Sequence, residues 1–185
     1  MIILITGATH TGKTLLAQRL IETCQYACLS IDHLMMGLIR SGQTPLTPAD
    51  DDELTVYLWP IIREMMKTAI ENHQNMILEG CYIPFGWRQD LGEPYASSVQ
   101  FICLAMTDRY IDDHMDKIKD HASDIEARMD DSYCTTEMLK SENRKYEEGF
   151  RSAGESVVMI DDDYEQDIRA LLNDYRSVPL CTFVR

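Results

Sequence analysis

Five short apolar runs, residues 2–5, 27–31, 76–78, 99–104 and 157–160, recur along the chain with stretches of helical period between them. Alternation of this kind predicts a parallel sheet whose strands are joined by crossover helices. The helix after the first run presents Leu15, Leu16, Leu20 and Ile21 as its apolar face. A second helix is expected to open at Thr47-Pro48-Ala49-Asp50, where Thr47 caps, Pro48 suits the first turn and Asp50 completes a capping box. Its positions Leu54, Leu58, Ile61, Met65 and Ala69 keep helical spacing, and Pro60 is expected to kink it. Two further helices, over 136–153 and 164–175, complete the pattern and leave 177–185 as a tail. Met35-Met36 and Met65-Met66 read as core filler, and Cys28 and Cys103 as small buried hydrophobes.

The 185 residues suit one domain, 1–185. Seventeen Lys and Arg against 31 Asp and Glu leave a net charge of −14. A chain so acidic lacks the basic footprint that nucleic acid or an anionic membrane surface requires, so neither is expected as a partner. The apolar opening stops at Ile5, far short of a spanning helix, and it carries no basic leader. Six cysteines without a Cys-x-x-Cys pair read as reduced thiols, and the expected location is cytoplasmic. Oligomeric state has no signature in the sequence.

Chemistry concentrates after the first run. Gly7-Ala8-Thr9-His10-Thr11-Gly12-Lys13-Thr14 matches G-x-x-x-x-G-K-[ST] in full, between an expected strand and an expected helix. The glycines let the loop curl so that successive N–H groups converge on phosphate oxygens, and the following helix adds positive partial charge. Lys13 is placed to meet the β- and γ-phosphates of ATP and Thr14 to ligate Mg²⁺. We expect Lys13 to be an exposed loop side chain whose loss spares the fold.

In an open α/β sheet, ligands bind beyond the carboxyl ends of the strands, which selects three acids: Asp32, Glu79 and Asp161. Any of them suits the second carboxylate around Mg²⁺. Glu79 comes first, because its strand is expected beside the first one, whereas Asp161 also reads as a cap for the last helix. Asp32 is better placed to face a second substrate, or else it caps a helix. Arg40 and Arg88 are candidates for an anionic group on that substrate or are plain surface arginines. Trp87 and Tyr82 either wall an acceptor pocket or pack in the core.

The sequence resembles the small P-loop kinases, the superfamily of shikimate, gluconate and nucleoside monophosphate kinases. That resemblance implies a three-layer P-loop NTPase fold with a five-stranded parallel sheet and a small helical lid. It places an acceptor-side region at 32–75 and the lid at 108–131. Ser30-Ile31-Asp32-His33-Leu34 resembles the acceptor-side acid segment of the hydroxyl-phosphorylating members. Arg128-Met129-Asp130-Asp131 resembles the lid end of nucleoside monophosphate kinases, which makes Arg128 a catalytic candidate, with Lys140 or Arg144 as a second lid cation. Two departures stand out. His10 occupies a position commonly Gly, and Glu79-Gly80-Cys81-Tyr82-Ile83-Pro84 replaces the segment that usually brings an acceptor-gripping arginine. The resemblance implies an ATP- and Mg²⁺-dependent phosphotransferase acting on a small molecule, with a hydroxyl of an anionic metabolite as the expected acceptor. A nucleoside monophosphate kinase and, from another class, an NTP-hydrolysing regulatory or partner-binding module are the alternatives.

Overall fold

A computed structural model of the chain describes residues 1–121 and 134–175. Its five strands are β1 (Ile2–Gly7), β2 (Ala27–Ser30), β3 (Met76–Glu79), β4 (Val99–Met106) and β5 (Val157–Ile160). Among the described residues the helices are α1 (Lys13–Cys24), α2 (Ile31–Arg40), α3 (Asp51–Glu71), α4 (Trp87–Leu91), α5 (Asp108–Asp120), α6 (Thr136–Ser152) and α7 (Tyr164–Tyr175). All strand pairs are parallel, in the order β2-β3-β1-β4-β5.

Burial on both faces explains why β1 reads as a continuous apolar run. Ile2 and Leu4 enter a core beneath α2, α3 and α4, joined by Phe150 of α6. Ile3 and Ile5 point the other way, to a core beneath α1, α5 and α7. This period of two across β1 separates the helices into two layers with the sheet between them. The register sets Ile5 opposite Glu79 and Gly7 opposite Leu104, so the phosphate loop leaves the sheet between the ends of β3 and β4.

Several local expectations are corrected. The helix expected from Thr47 begins at Asp51. The Asp50 carboxylate accepts from the Thr47 backbone N–H at 2.7 Å and from its hydroxyl at 2.8 Å, closing a turn ahead of the helix. The buried stripe of α3 runs through Leu54, Leu58, Ile62, Met66 and Ala69, not through Ile61 and Met65. Adjacent apolar pairs had left the stripe ambiguous by one residue, and the i, i+4 ladder from Leu54 resolves it. In α1, Leu16, Ala17, Leu20 and Cys24 are buried while Ile21 is exposed. Cys103 is buried, but Cys28 lies on the edge strand β2 and is exposed.

The first part of the expected lid, α5, docks on the sheet through buried Ile111 and Ile118. Arg128 and the tail 177–185 lie outside the described residues. No helix among the described residues is long and apolar enough to cross a membrane.

Candidate active site

The loop from Gly7 to Thr14 is shaped by two left-handed glycines. Gly7 has φ 144°, and a Cβ there would stand 2.2 Å from the Leu104 carbonyl oxygen, so no side chain fits. Gly12 has φ 76°, and a Cβ would meet the Tyr164 hydroxyl at 2.3 Å. Tyr164, at the start of α7, donates to the Gly12 carbonyl at 3.1 Å and braces the loop from outside. His10 also adopts a positive φ, 63°, which accounts for glycine being common at this position. Inside the loop the Thr11 hydroxyl donates to the Ala8 carbonyl at 2.8 Å.

Lys13 departs from expectation. Its side chain is buried, 8% exposed, with Nζ donating to the Ala8 carbonyl at 2.7 Å. Burial by itself pulls the amine pKa down. Around it stand the Cys81 thiol and the carboxyls of Asp32, Glu142 and Glu79, which outweigh that effect and leave Lys13 above its ordinary value. Burial in turn pushes the Cys81 thiol up to about 11, so it is a thiol at neutral pH. The expectation that Lys13 contributes little to folding is therefore corrected: it is the cation at the centre of an acidic cluster.

The acids sort by strand. Glu79, 1% exposed at the end of β3, accepts from the Thr14 hydroxyl at 3.4 Å, so the two candidate metal ligands face one another. Asp161, after β5, is committed elsewhere, accepting from the Thr107 hydroxyl at 2.7 Å and from Arg109 at 2.6 Å. Those hydrogen bonds hold its carboxyl below the usual range. Asp32 stands in the first turn of α2, directly after β2, and acts electrostatically on Lys13, Cys81, Tyr82 and Asp51.

Sequence reasoning missed four contributors here. Asp51 opens α3 and accepts from the Tyr82 hydroxyl at 3.5 Å. Burial raises its pKa and Tyr82 opposes that rise, while Asp52 and Asp32 add to it. Tyr146 of α6 donates to the Cys81 carbonyl at 2.8 Å. Glu142, one turn earlier, accepts the Thr9 backbone N–H at 3.0 Å. The fourth is Tyr164. Glu142, Tyr146 and Tyr164 are remote from every motif in the sequence, and only the packing of α6 and α7 brings them to the loop.

Five candidates lie apart from this cluster. Trp87 is fully buried, stacked on Phe101 with ring centroids 5.3 Å apart, and so belongs to the core. Arg88 rests over the Trp87 ring and pairs with Glu155 at 2.7 Å, just ahead of β5. That is the amino end of the parallel sheet, opposite the phosphate loop. Arg40 is exposed at the last residue of α2, and the rise of a helix carries it about 12 Å from Asp32. Lys140 pairs with Asp112 at 2.5 Å and Arg144 with Asp108, so both tie α6 to α5.

No protein-family profile matches the chain, and no curated protein matches its sequence. Its fold is similar to that of several solved structures. A sugar kinase from Janibacter aligns over 93% of this chain and 92% of its own, with 20% identity and a TM-score of 0.54. Deoxyadenosine kinase from M. mycoides aligns over 96% of this chain and all of its own, with 14% identity and a TM-score of 0.53. A Chloroflexus aurantiacus protein regarded as a kinase aligns over 93% and 96%, with 16% identity and a TM-score of 0.56. The fold is that of the P-loop small-molecule kinases.

Proposed function

We propose that this chain transfers the terminal phosphoryl group of ATP, with Mg²⁺, to a hydroxyl of a small molecule held between the phosphate loop and Asp32. The observation that carries this reading is the juxtaposition of the Gly7–Thr14 loop, the Thr14–Glu79 pair and the Asp32 carboxyl at the ends of three neighbouring strands. Both groups suit the donors present. The loop takes a curled path that a Cβ at Gly7 or Gly12 would block by striking Leu104 or Tyr164, and a hydroxyl facing a carboxylate is an oxygen donor set of the kind Mg²⁺ takes. Gly7, Ala8, Thr9, His10, Thr11, Gly12 and Lys13 would hold the phosphates, and Thr14 with Glu79 the metal.

Bound together, ATP and Mg²⁺ supply the phosphoryl group and the neutralising charge on its oxygens. The chain's own groups position and balance charge, which is most of what phosphoryl transfer asks of a protein. Lys13 shifts from the Ala8 carbonyl to the phosphates. Asp32 orients the acceptor hydroxyl and takes its proton. Arg128 keeps its role as a lid cation from sequence alone.

For the acceptor, a second reading is favoured over an anionic metabolite. Arg88 is engaged at the opposite end of the sheet, and Asp32, Asp51, Glu142, Tyr82 and Tyr146 stand around the crevice with two lysines, Lys13 in the loop itself and Lys145, which pairs with Asp52. Carboxyls in that number suit a neutral or amine-bearing alcohol.

The test is an ADP-release screen of sugars, amino sugars, amino alcohols, sugar acids and nucleoside monophosphates, with mass detection of the phosphorylated product. Turnover that appears with a metabolite and vanishes in Lys13→Ala supports the proposal. Turnover confined to nucleoside monophosphates would make the chain a nucleotide kinase. Hydrolysis indifferent to every metabolite would point to a regulatory NTPase.

A further inference from the structure

A cradle of backbone amides built for phosphate oxygens holds a carboxylate of the protein itself. Glu142 reaches from α6 into the phosphate loop and accepts the Thr9 N–H at 3.0 Å, across 133 residues of chain. The helix that carries Glu142 is anchored on both sides of the contact. The neighbouring Asn143 is buried, accepts the Met106 N–H at 2.7 Å and donates to the Leu139 carbonyl at 2.8 Å. One turn on, Tyr146 donates to the Cys81 carbonyl, and Phe150 packs edge-on against Phe85 with centroids 4.9 Å apart. These anchors pin α6 to the end of β4 and to the loop after β3, leaving Glu142 to project at Thr9.

Lys13 marks which part of the loop is occupied. Its amine donates to Ala8, the residue before Thr9, and it lies within electrostatic reach of Glu142. A lysine in this motif ends at the β- and γ-phosphates, so Glu142 stands at the terminal-phosphate end of the cradle. Two anions cannot share one amide. Lys145, one turn along α6 and 3.3 Å from Asp52, also lies within electrostatic reach of Glu142 and offers the carboxylate another partner when it leaves.

Resting on the phosphotransferase reading above, we propose that Glu142 is an internal competitor for the phosphate loop, displaced by the terminal phosphate of a nucleoside triphosphate. It makes the loop harder to fill and discriminates by the number of phosphates. A triphosphate must evict Glu142 before it seats, whereas a diphosphate reaches the helix end of the cradle with the carboxylate in place. Apparent affinity is reduced by the fraction of time the loop is closed. The carboxylate returns once the terminal phosphate has gone, so the empty and product states share one arrangement of the loop.

Calorimetric titration of the full chain with MgATP and with MgADP tests this in wild type, Glu142→Gln and Glu142→Ala. Gln keeps the shape and a hydrogen-bond acceptor for Thr9 without the charge, and Ala empties the position. If Glu142 closes the loop about nine-tenths of the time, MgATP binds roughly tenfold more tightly to Glu142→Ala, with a smaller gain in Glu142→Gln, whose amide oxygen still accepts from Thr9 but without the charge. MgADP affinity changes less than about threefold on the same argument. Unchanged or weaker MgATP binding in both variants would overturn the proposal, and an equal gain for MgADP would overturn discrimination by phosphate number. Lys13→Ala separates this from the underlying reading. MgATP binding that is lost in Lys13→Ala upholds the phosphate loop whatever Glu142 does, and wild-type affinity in Lys13→Ala removes the loop and this inference together.

Discussion

Removing the Lys13 ammonium should cost stability as well as function, and the size of the loss follows from what surrounds it. Its bond to the Ala8 carbonyl has a charged donor, a class that contributes about 1.5–3 kcal/mol. Taking one partner from a buried charge cluster costs about 3–5 kcal/mol when the remaining charges cannot relax. Here they can relax in part, because burial already holds Glu142 and Asp51 above the ordinary carboxyl range and both take up protons readily. We therefore expect Lys13→Ala to lose about 2–4 kcal/mol at pH 8, or about 4–16 °C in Tm for a chain of this size. The sign with pH is fixed. An acid whose folded pKa is raised binds more protons folded than unfolded, so stability falls as pH rises through that window. Losing Lys13 raises those pKa values further, so the deficit is small near pH 5 and grows toward pH 8. The raised Lys13 pKa makes the lysine's own contribution constant over that range, lost only above its ordinary value near 10.5. Thermal melts of both proteins from pH 5 to 8 check this, and melts within 2 °C of each other at pH 8 would refute a lysine clamped among acids.

Other expectations follow from the same geometry. Glu79→Gln and Thr14→Ala should each weaken ATP binding in the presence of Mg²⁺ and leave metal-free binding nearly unchanged; equal losses in calorimetry with and without metal would exclude them as ligands. Asp32→Asn should keep ATP affinity and lower kcat by about 10²–10⁴, the contribution of a positioned base, once an acceptor is in hand. Normal turnover would return Asp32 to a structural role in the first turn of α2. Tyr164→Phe removes the brace on Gly12 and should lower Tm by about 2–4 °C, the equivalent of one hydrogen bond of about 1 kcal/mol; an unchanged melt would show that the loop holds itself. Asp161→Asn should lower Tm at pH 7, because the native carboxyl is held below its ordinary value by Thr107 and Arg109. That stability is present above the unfolded pKa of about 3.9 and is lost as pH falls through the lowered native value, so melts of the two proteins should converge in acid.

The sheet was legible because its strands are buried on both faces and therefore read as runs that helical periodicity cannot imitate. All five runs became strands, and the Gly7–Thr14 segment lies between a strand and a helix, as its motif requires. Glu79 was recoverable too, because a residue that ends the strand beside β1 has to face the loop. What the sequence concealed were contacts made across it. Glu142 and Tyr146 sit in the helix expected over 136–153, here Thr136–Ser152, and nothing local marks the face that Asn143 anchors. For Arg88 and Trp87, of the two readings the sequence left open, the structure takes the one away from the site. An arginine beside an aromatic ring after an acid-tipped strand looks like a binding wall, but α4 carries both residues to the other end of the sheet.

A net charge of −14 and a site for a polyphosphate are reconciled by the spacing of the strands. On the proposed function, long-range repulsion acts on the encounter with ATP, whereas affinity within the cradle comes from Lys13 and from amide dipoles and the start of α1, which add no net charge to the molecule. Neighbouring strands stand about 4.8 Å apart, which places β2 roughly 10 Å from β1 with β3 between them. In the proposed function the anion cradle therefore follows β1, the carboxylate assigned to the metal, Glu79, follows β3, and the acid assigned to the acceptor, Asp32, follows β2. Spread over three adjacent strand ends, opposite requirements are met without sharing a residue. Glu142 is the exception, because it arrives from α6 and crosses onto the cradle, and this is why its charge is the one proposed to move.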